Sequence, residues 1–104
     1  MVAKGPAIWS PEALTDIENI WDYYAGTAGT SVADRLLRDI GRSIGLLEDF
    51  PMAGRVRDEI RPGLRSIVSG PHLVFYRVPE QRPLIVRILD GRRDIEEMLA
   101  DTPD

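Results

Sequence analysis

Between residues 64 and 94 the chain carries Arg65, Arg77, Arg82, Arg87, Arg92 and Arg93, with Arg61 just upstream and His72, its one histidine, among them. Guanidinium groups are permanently charged and fork-shaped, so such a set can hold phosphate or carboxylate oxygens at two points. It is poorly suited to moving protons, because arginine hardly ever gives its proton up. RNA cleavage would need one group to activate the 2′-hydroxyl, one to steady the phosphate and one to protonate the leaving oxygen. Arg65, Arg77 and Arg87 suit the second task, which leaves His72, Tyr76 and Glu80 for proton transfer. His72 follows a Gly-Pro turn and is expected to be exposed there. Tyr76 falls on the core face of its strand. No catalytic set is therefore expected, and one histidine with scattered acids gives no metal-ligand spacing and implies no cofactor.

The net charge of −4 argues against a nucleic-acid partner. The charge is unevenly spread, however. Residues 51–93 hold nine arginines against Asp58, Glu59, Glu80 and Asp90, whereas residues 94–104 hold five acids and no base. A segmented chain binds partners through its segments.

These residues need a scaffold. With 104 residues, 43% hydrophobic and 29% charged, the chain is expected to form one domain over residues 1–104 around one modest core. No apolar run has the length of a membrane span, the start lacks the apolar core of a signal peptide, and cysteine is absent, so a cytoplasmic protein without disulfides is expected.

Residues 7–9 read as a short strand. Ser10-Pro11-Glu12 is a helix-start signal, with a capping hydroxyl, a proline at the first helical position and an acid in the first turn. A helix to about Ala25 follows, with Ala13, Leu14, Ile17, Ile20, Trp21 and Tyr24 as its buried stripe and Asp16, Glu18 and Asp22 mostly on the other side. Residues 26–29 turn the chain. Thr30 or Ser31 then caps a second helix, Ser31 and Asp34 being spaced as a capping box. That helix carries Ala33, Leu36, Leu37, Ile40, Ile44 and Leu47 and stops at Phe50-Pro51. Gly41 and Gly45, one turn apart, predict close backbone contact with the first helix. Residues 52–63 form an irregular polar connection. Strands are expected at 64–69, 72–78 and 84–90, joined by short Pro-marked turns and hence antiparallel. A short terminal helix over residues 94–100 and a frayed tail over 101–104 complete the chain. The fold class is α+β, an N-terminal two-helix hairpin packed on a small antiparallel sheet of three to four strands.

Strand alternation puts Val74, Tyr76 and Val78 with Leu84, Val86 and Ile88 on the face that seats the helices. It puts Arg65, Arg77 and Arg87 with Leu73, Phe75, Ile85 and Leu89 on the other. That second face is too apolar for water and too basic for a plain core, so the terminal helix, a partner, or both must cover it.

The pattern Asp16-Ile17-x-x-Ile20-Trp21-x-Tyr23-Tyr24-Ala25, then Leu47-x-x-Phe50-Pro51, Gly54-Arg55, Gly63-Leu64-Arg65-Ser66, Val74-Phe75-Tyr76-Arg77-Val78 and Ile88-Leu89-Asp90-Gly91-Arg92-Arg93-Asp94 resembles the ParE branch of the RelE/ParE toxin superfamily. The resemblance runs from about Trp9 to Asp94. It implies a helical hairpin on a small antiparallel sheet, and a toxin neutralised in a hetero-oligomer by a ParD-like antitoxin. It also implies DNA gyrase as target, with replication blocked and no sequence-specific nucleic-acid binding by the toxin itself. RelE-type relatives instead cut messenger RNA on the ribosome. They usually carry basic and aromatic residues near the C-terminus, which this tail lacks, and many members have histidine where Asp90 stands. A third reading is an antitoxin-binding module without toxicity. Arg92 and Arg93 are the expected target-facing pair, unless Asp90, Asp94 or Glu97 holds them. Arg65, Leu73, Phe75, Arg77 and Arg87 are the expected antitoxin- or phosphate-binding set.

Overall fold

The computed structural model describes residues 5–100, 102 and 103. In chain order its elements are β1 (Ile8–Trp9), α1 (Pro11–Ala28), α2 (Thr30–Asp49), β2 (Arg55–Val56), β3 (Arg65–Ser69), β4 (His72–Arg77), β5 (Leu84–Asp90) and α3 (Ile95–Ala100). The expected α+β layout holds, but the sheet has five strands in the order β1-β5-β4-β3-β2. The strand not expected is β2, whereas β1 falls within the short strand expected over residues 7–9. β2 arises inside the stretch expected to be irregular and pairs antiparallel with β3. β1 pairs parallel with β5, Ile8 opposite Leu84 and Trp9 opposite Ile85.

Ser10 starts α1 as its sequence suggests, its Oγ accepting the Ala13 N–H at 3.0 Å. The helices then run on almost without a break. Gly29 alone separates α1 from α2, at φ 96°, ψ 159°, a backbone conformation that L side chains rarely adopt. Gly29 is also the N-cap of α2, and no side chain caps that helix. The expected capping box does not form; Asp34 instead accepts the Trp21 indole N–H at 2.9 Å, tying α2 to α1. Gly41 and Gly45 are not contact points either, since a Cβ at either would meet nothing within 4 Å.

One core lies between hairpin and sheet, built from Ala13, Ile40, Ile44, Leu47, Val74, Tyr76, Ile85 and Ile88. The opposite face buries Leu64, Phe75, Val86, Leu89 and Leu99, with Ile95 and Met98 of α3 packed against them. The terminal helix therefore covers the mixed face.

The two faces differ from simple alternation at four positions. A bulge between Phe75 and Tyr76 pairs Phe75 with Arg87 but Tyr76 with Ile85, so Val86 has no partner on β4. An extra residue on one strand reverses the alternation beyond it. Ile85 consequently joins the helix-side core and Val86 the opposite one, and Leu84, paired with Arg77, also lies opposite the helices, each the reverse of the expectation. Arg65 pairs with Tyr76 and so also lies on the helix side rather than beside Phe75.

β1 covers only the first part of β5, and beyond it side chains take up two backbone groups of that edge. Ser10 Oγ donates to the Val86 carbonyl at 2.8 Å. Farther along, Asp16 Oδ2 accepts the Ile88 N–H at 2.8 Å. The same carboxylate receives the Arg87 fork, Nε to Oδ2 at 2.8 Å and Nη2 to Oδ1 at 2.9 Å. Asp16 is thus buried, at 8% exposure, not on the solvated side of α1. Arg87 also donates to Thr102 Oγ1 at 2.8 Å. Of the tail expected to fray, Thr102 is buried, while Asp101 and Asp104 lie outside the described residues.

Candidate functional site

The expected site residues divide into separate places. Arg65 Nη1 donates to the carbonyls of Met52 and Gly54 and so clamps the loop after α2. Arg87 is held by Asp16, whose carboxylate keeps the guanidinium still more firmly protonated than usual. Phe75 is fully buried, with the Arg57 guanidinium 5.5 Å from its ring centre. Leu73 and Arg77 are half-buried. Tyr76 is committed as well: its hydroxyl accepts the Gly54 N–H and donates to the Pro51 carbonyl, both at 2.8 Å, and burial pushes the phenol pKa up.

Arg92 and Arg93 stand together, exposed, in the turn after β5. Asp90 orients this turn. Its carboxylate accepts the Arg92 N–H at 2.9 Å, Arg92 Nε at 3.0 Å and Arg92 Nη2 at 2.8 Å. The Arg92 contacts hold the Asp90 carboxyl far below the usual carboxylate range, so it remains ionised and the clasp persists. The Arg93 guanidinium makes no hydrogen bond or ion pair among the described residues.

Beside this turn lies a cleft of about 480 Å³ between α1, the ends of β4 and β5, and α3. Tyr23, Tyr24, His72, Asp90 and Arg93 all line it. Tyr24 meets Tyr23 edge to face at 5.0 Å and His72 at 6.0 Å. His72, expected to be exposed, is only 3% so, because β4 begins immediately after its turn and pairs it with Asp90. Tyr23 entered the sequence reading only as part of the family pattern, and its place off the helix stripe is the signal that could have marked it. The burial of His72 had no sequence signal, because pairing across to β5 creates it.

Burial holds the His72 imidazole pKa below its ordinary 6.5, aided by Arg92 and partly opposed by Asp90. The unfolded chain therefore takes up a proton below that value before the folded chain does, and stability must fall as pH drops through this window. The chain has one histidine, so the uptake can be assigned. We expect the urea midpoint to fall between about pH 7 and pH 5, and His72→Gln to flatten that slope. A slope unchanged by the substitution would mean that His72 is not the group responsible.

Comparison with known proteins completes the description of the site. A family model described as ParE toxin of type II toxin-antitoxin system, parDE, matches residues 7–95. The chain is 37% identical over 91 residues to Toxin ParE1 of Mycobacterium tuberculosis, covering 86% of this chain and 93% of that one. It is 34% identical over 85 residues to Toxin ParE3 of Caulobacter vibrioides, covering 82% and 85%. Its fold matches a solved structure described as the chromosomal ParDE TA system from P. aeruginosa with a TM-score of 0.72 and 25% identity, covering 82% of this chain and 94% of that one.

Proposed function

Because the chain belongs to the ParE toxin family of type II toxin–antitoxin systems, we propose that it inhibits DNA gyrase and blocks replication whenever its antitoxin is absent. The observation that carries this reading is the family match itself, which runs to residue 95 and includes the turn bearing Arg92 and Arg93. Poisoning by binding requires a presented surface rather than a proton relay. Arg93 offers a guanidinium that no described residue holds, beside an Arg92 fixed by Asp90, and these two are the proposed target contacts.

The antitoxin is proposed to be ParD-like and to form a hetero-oligomer with this chain in the cytoplasm. Leu46, Phe50 and Met52 are exposed at 43%, 58% and 50% around the end of α2, an apolar strip suited to a partner segment. Of the sheet residues proposed to receive that segment, Leu73 and Arg77 are reachable where they stand, while Arg65, Phe75 and Arg87 act from behind as supports.

The test is expression in a bacterial host without the antitoxin, paired with a gyrase supercoiling assay on the purified chain. Filamentation with broken DNA, loss of supercoiling, and relief of both by Arg92→Ala/Arg93→Ala are expected. Rapid loss of messenger RNA with intact DNA would replace this reading with ribosome-dependent RNA cleavage. Normal growth would leave a chain that only binds its antitoxin.

A further inference from the structure

The cleft beside the Arg92–Arg93 turn adds to Arg93 a set of rings, Tyr23, Tyr24 and His72, that the proposed gyrase contact does not use. Its volume of about 480 Å³ falls among small-ligand sites. Part of its lining is apolar, with Ile20, Leu89 and Met98. Tyr24 meets both Tyr23 and His72 edge to face, and Tyr23 leaves 63% of its surface in water. An exposed ring in a cleft with apolar lining favours a planar body that can lie against both.

Charge narrows the choice. The two carboxylates that line the cleft are saturated, Asp16 by Arg87 and the Ile88 N–H, Asp90 by Arg92. Of the two arginines lining it, Arg87 is consumed by Asp16, whereas no described residue holds the Arg93 guanidinium. Among the described residues the cleft therefore offers a cation with no free carboxylate lining it. His72 adds a neutral donor. Its Nδ1 is buried without a hydrogen-bond partner, an arrangement that costs least when Nδ1 carries only a lone pair and the proton sits on Nε2. Asp94, Glu96 and Glu97 follow closely along the chain and repel a long polyanion, so a short anion is favoured.

We propose that this cleft binds a nucleotide unit, its base against the tyrosine rings and its phosphate on Arg93. A bare phosphate would leave the rings uncovered, and a nucleoside would leave Arg93 unused. A free mononucleotide and the 5′ end of a strand present the same chemistry. The proposal shares Arg93 with the proposed gyrase contact, but it is tested by nucleotide binding alone and does not require gyrase to be the target.

The experiment is a titration of the full chain followed through the His72 and tyrosine ring resonances, with AMP, adenosine, inorganic phosphate and a 5′-phosphorylated trinucleotide as separate probes. AMP is expected to shift those resonances saturably and to bind about tenfold more tightly than adenosine, the scale of one charge-assisted hydrogen bond. Arg93→Gln should erase that difference, and Tyr23→Ala, at an exposed position, should weaken both AMP and adenosine. Tighter binding of the trinucleotide would support the proposal with a strand end as the natural source, and equal or weaker binding with the free nucleotide. Phosphate binding as tightly as AMP, or ring resonances that ignore AMP and respond only to an antitoxin, would overturn it.

Discussion

Asp16→Ala is expected to lower the unfolding free energy by about 3 kcal/mol, measured by urea denaturation near neutral pH. The side chains of Asp16 and Arg87 are 10% and 16% exposed, so alanine would leave a largely buried guanidinium without its counter-charge. It would also strip the Ile88 N–H of its acceptor on a sheet edge that β1 does not reach. Both losses are of the kind in which the orphaned partner, more than the lost bond, sets the cost. Asp16→Asn, which keeps one oxygen for Ile88 but removes the charge, should fall between wild type and alanine. The pair Asp16→Leu/Arg87→Met should recover stability relative to Asp16→Ala, because no charge then remains buried. A change under about 0.5 kcal/mol for Asp16→Ala would mean that solvent already screens this pair.

Gly54→Ala should cost about as much, ~3 kcal/mol, for a different reason. The added Cβ would stand 2.5 Å from the Tyr76 hydroxyl oxygen, 2.6 Å from its ring carbon Cε1 and 2.9 Å from the Ser66 carbonyl oxygen. None of these can yield cheaply: the Tyr76 ring is fully buried and Ser66 belongs to β3. The loop after α2 must lift, breaking the bonds that join Tyr76 to Gly54 and Pro51. Tyr76→Phe removes the first clash but keeps the second, so the double variant should not regain wild-type stability. Its loss should nevertheless be smaller than the sum of the two single losses, because both break the same hydrogen bonds. Additive losses would show that the alanine is accommodated without moving Tyr76.

These two residues also mark where sequence reasoning stopped. The start of α1, the limits of β3, β4 and β5, and the need for something to cover the mixed face were legible, because capping chemistry, proline positions and apolar spacing are local; the cap of α2 was not, since Gly29 stands where Thr30 or Ser31 was expected. Asp16 was not. A carboxylate one position away from an apolar stripe reads as solvated, and only the unfilled edge of β5, created by the shortness of β1, draws it inside. Ile85 and Val86 were misplaced because a bulge leaves no mark on hydrophobic periodicity, both residues being apolar and β-branched. At the candidate site, Arg92 and Arg93 were visible as a pair. Their different fates depend on which of them Asp90 reaches, and the cleft depends on α1 lying across the end of β5.

The pairing of Ile8 with Leu84, and of Asp16 with Arg87, also imposes an order in time. Contacts of such long sequence separation form only after their later half exists, and closing long loops is slow relative to forming local helices. On a ribosome adding residues from the N-terminus, α1 and α2 are complete while β5, against which α1 packs, is still unmade. The emerging hairpin must carry its apolar stripe uncovered until β5 follows it. The turn with Arg92 and Arg93 comes directly after β5, so it too takes its place only once both helices and the sheet strands before it have been made.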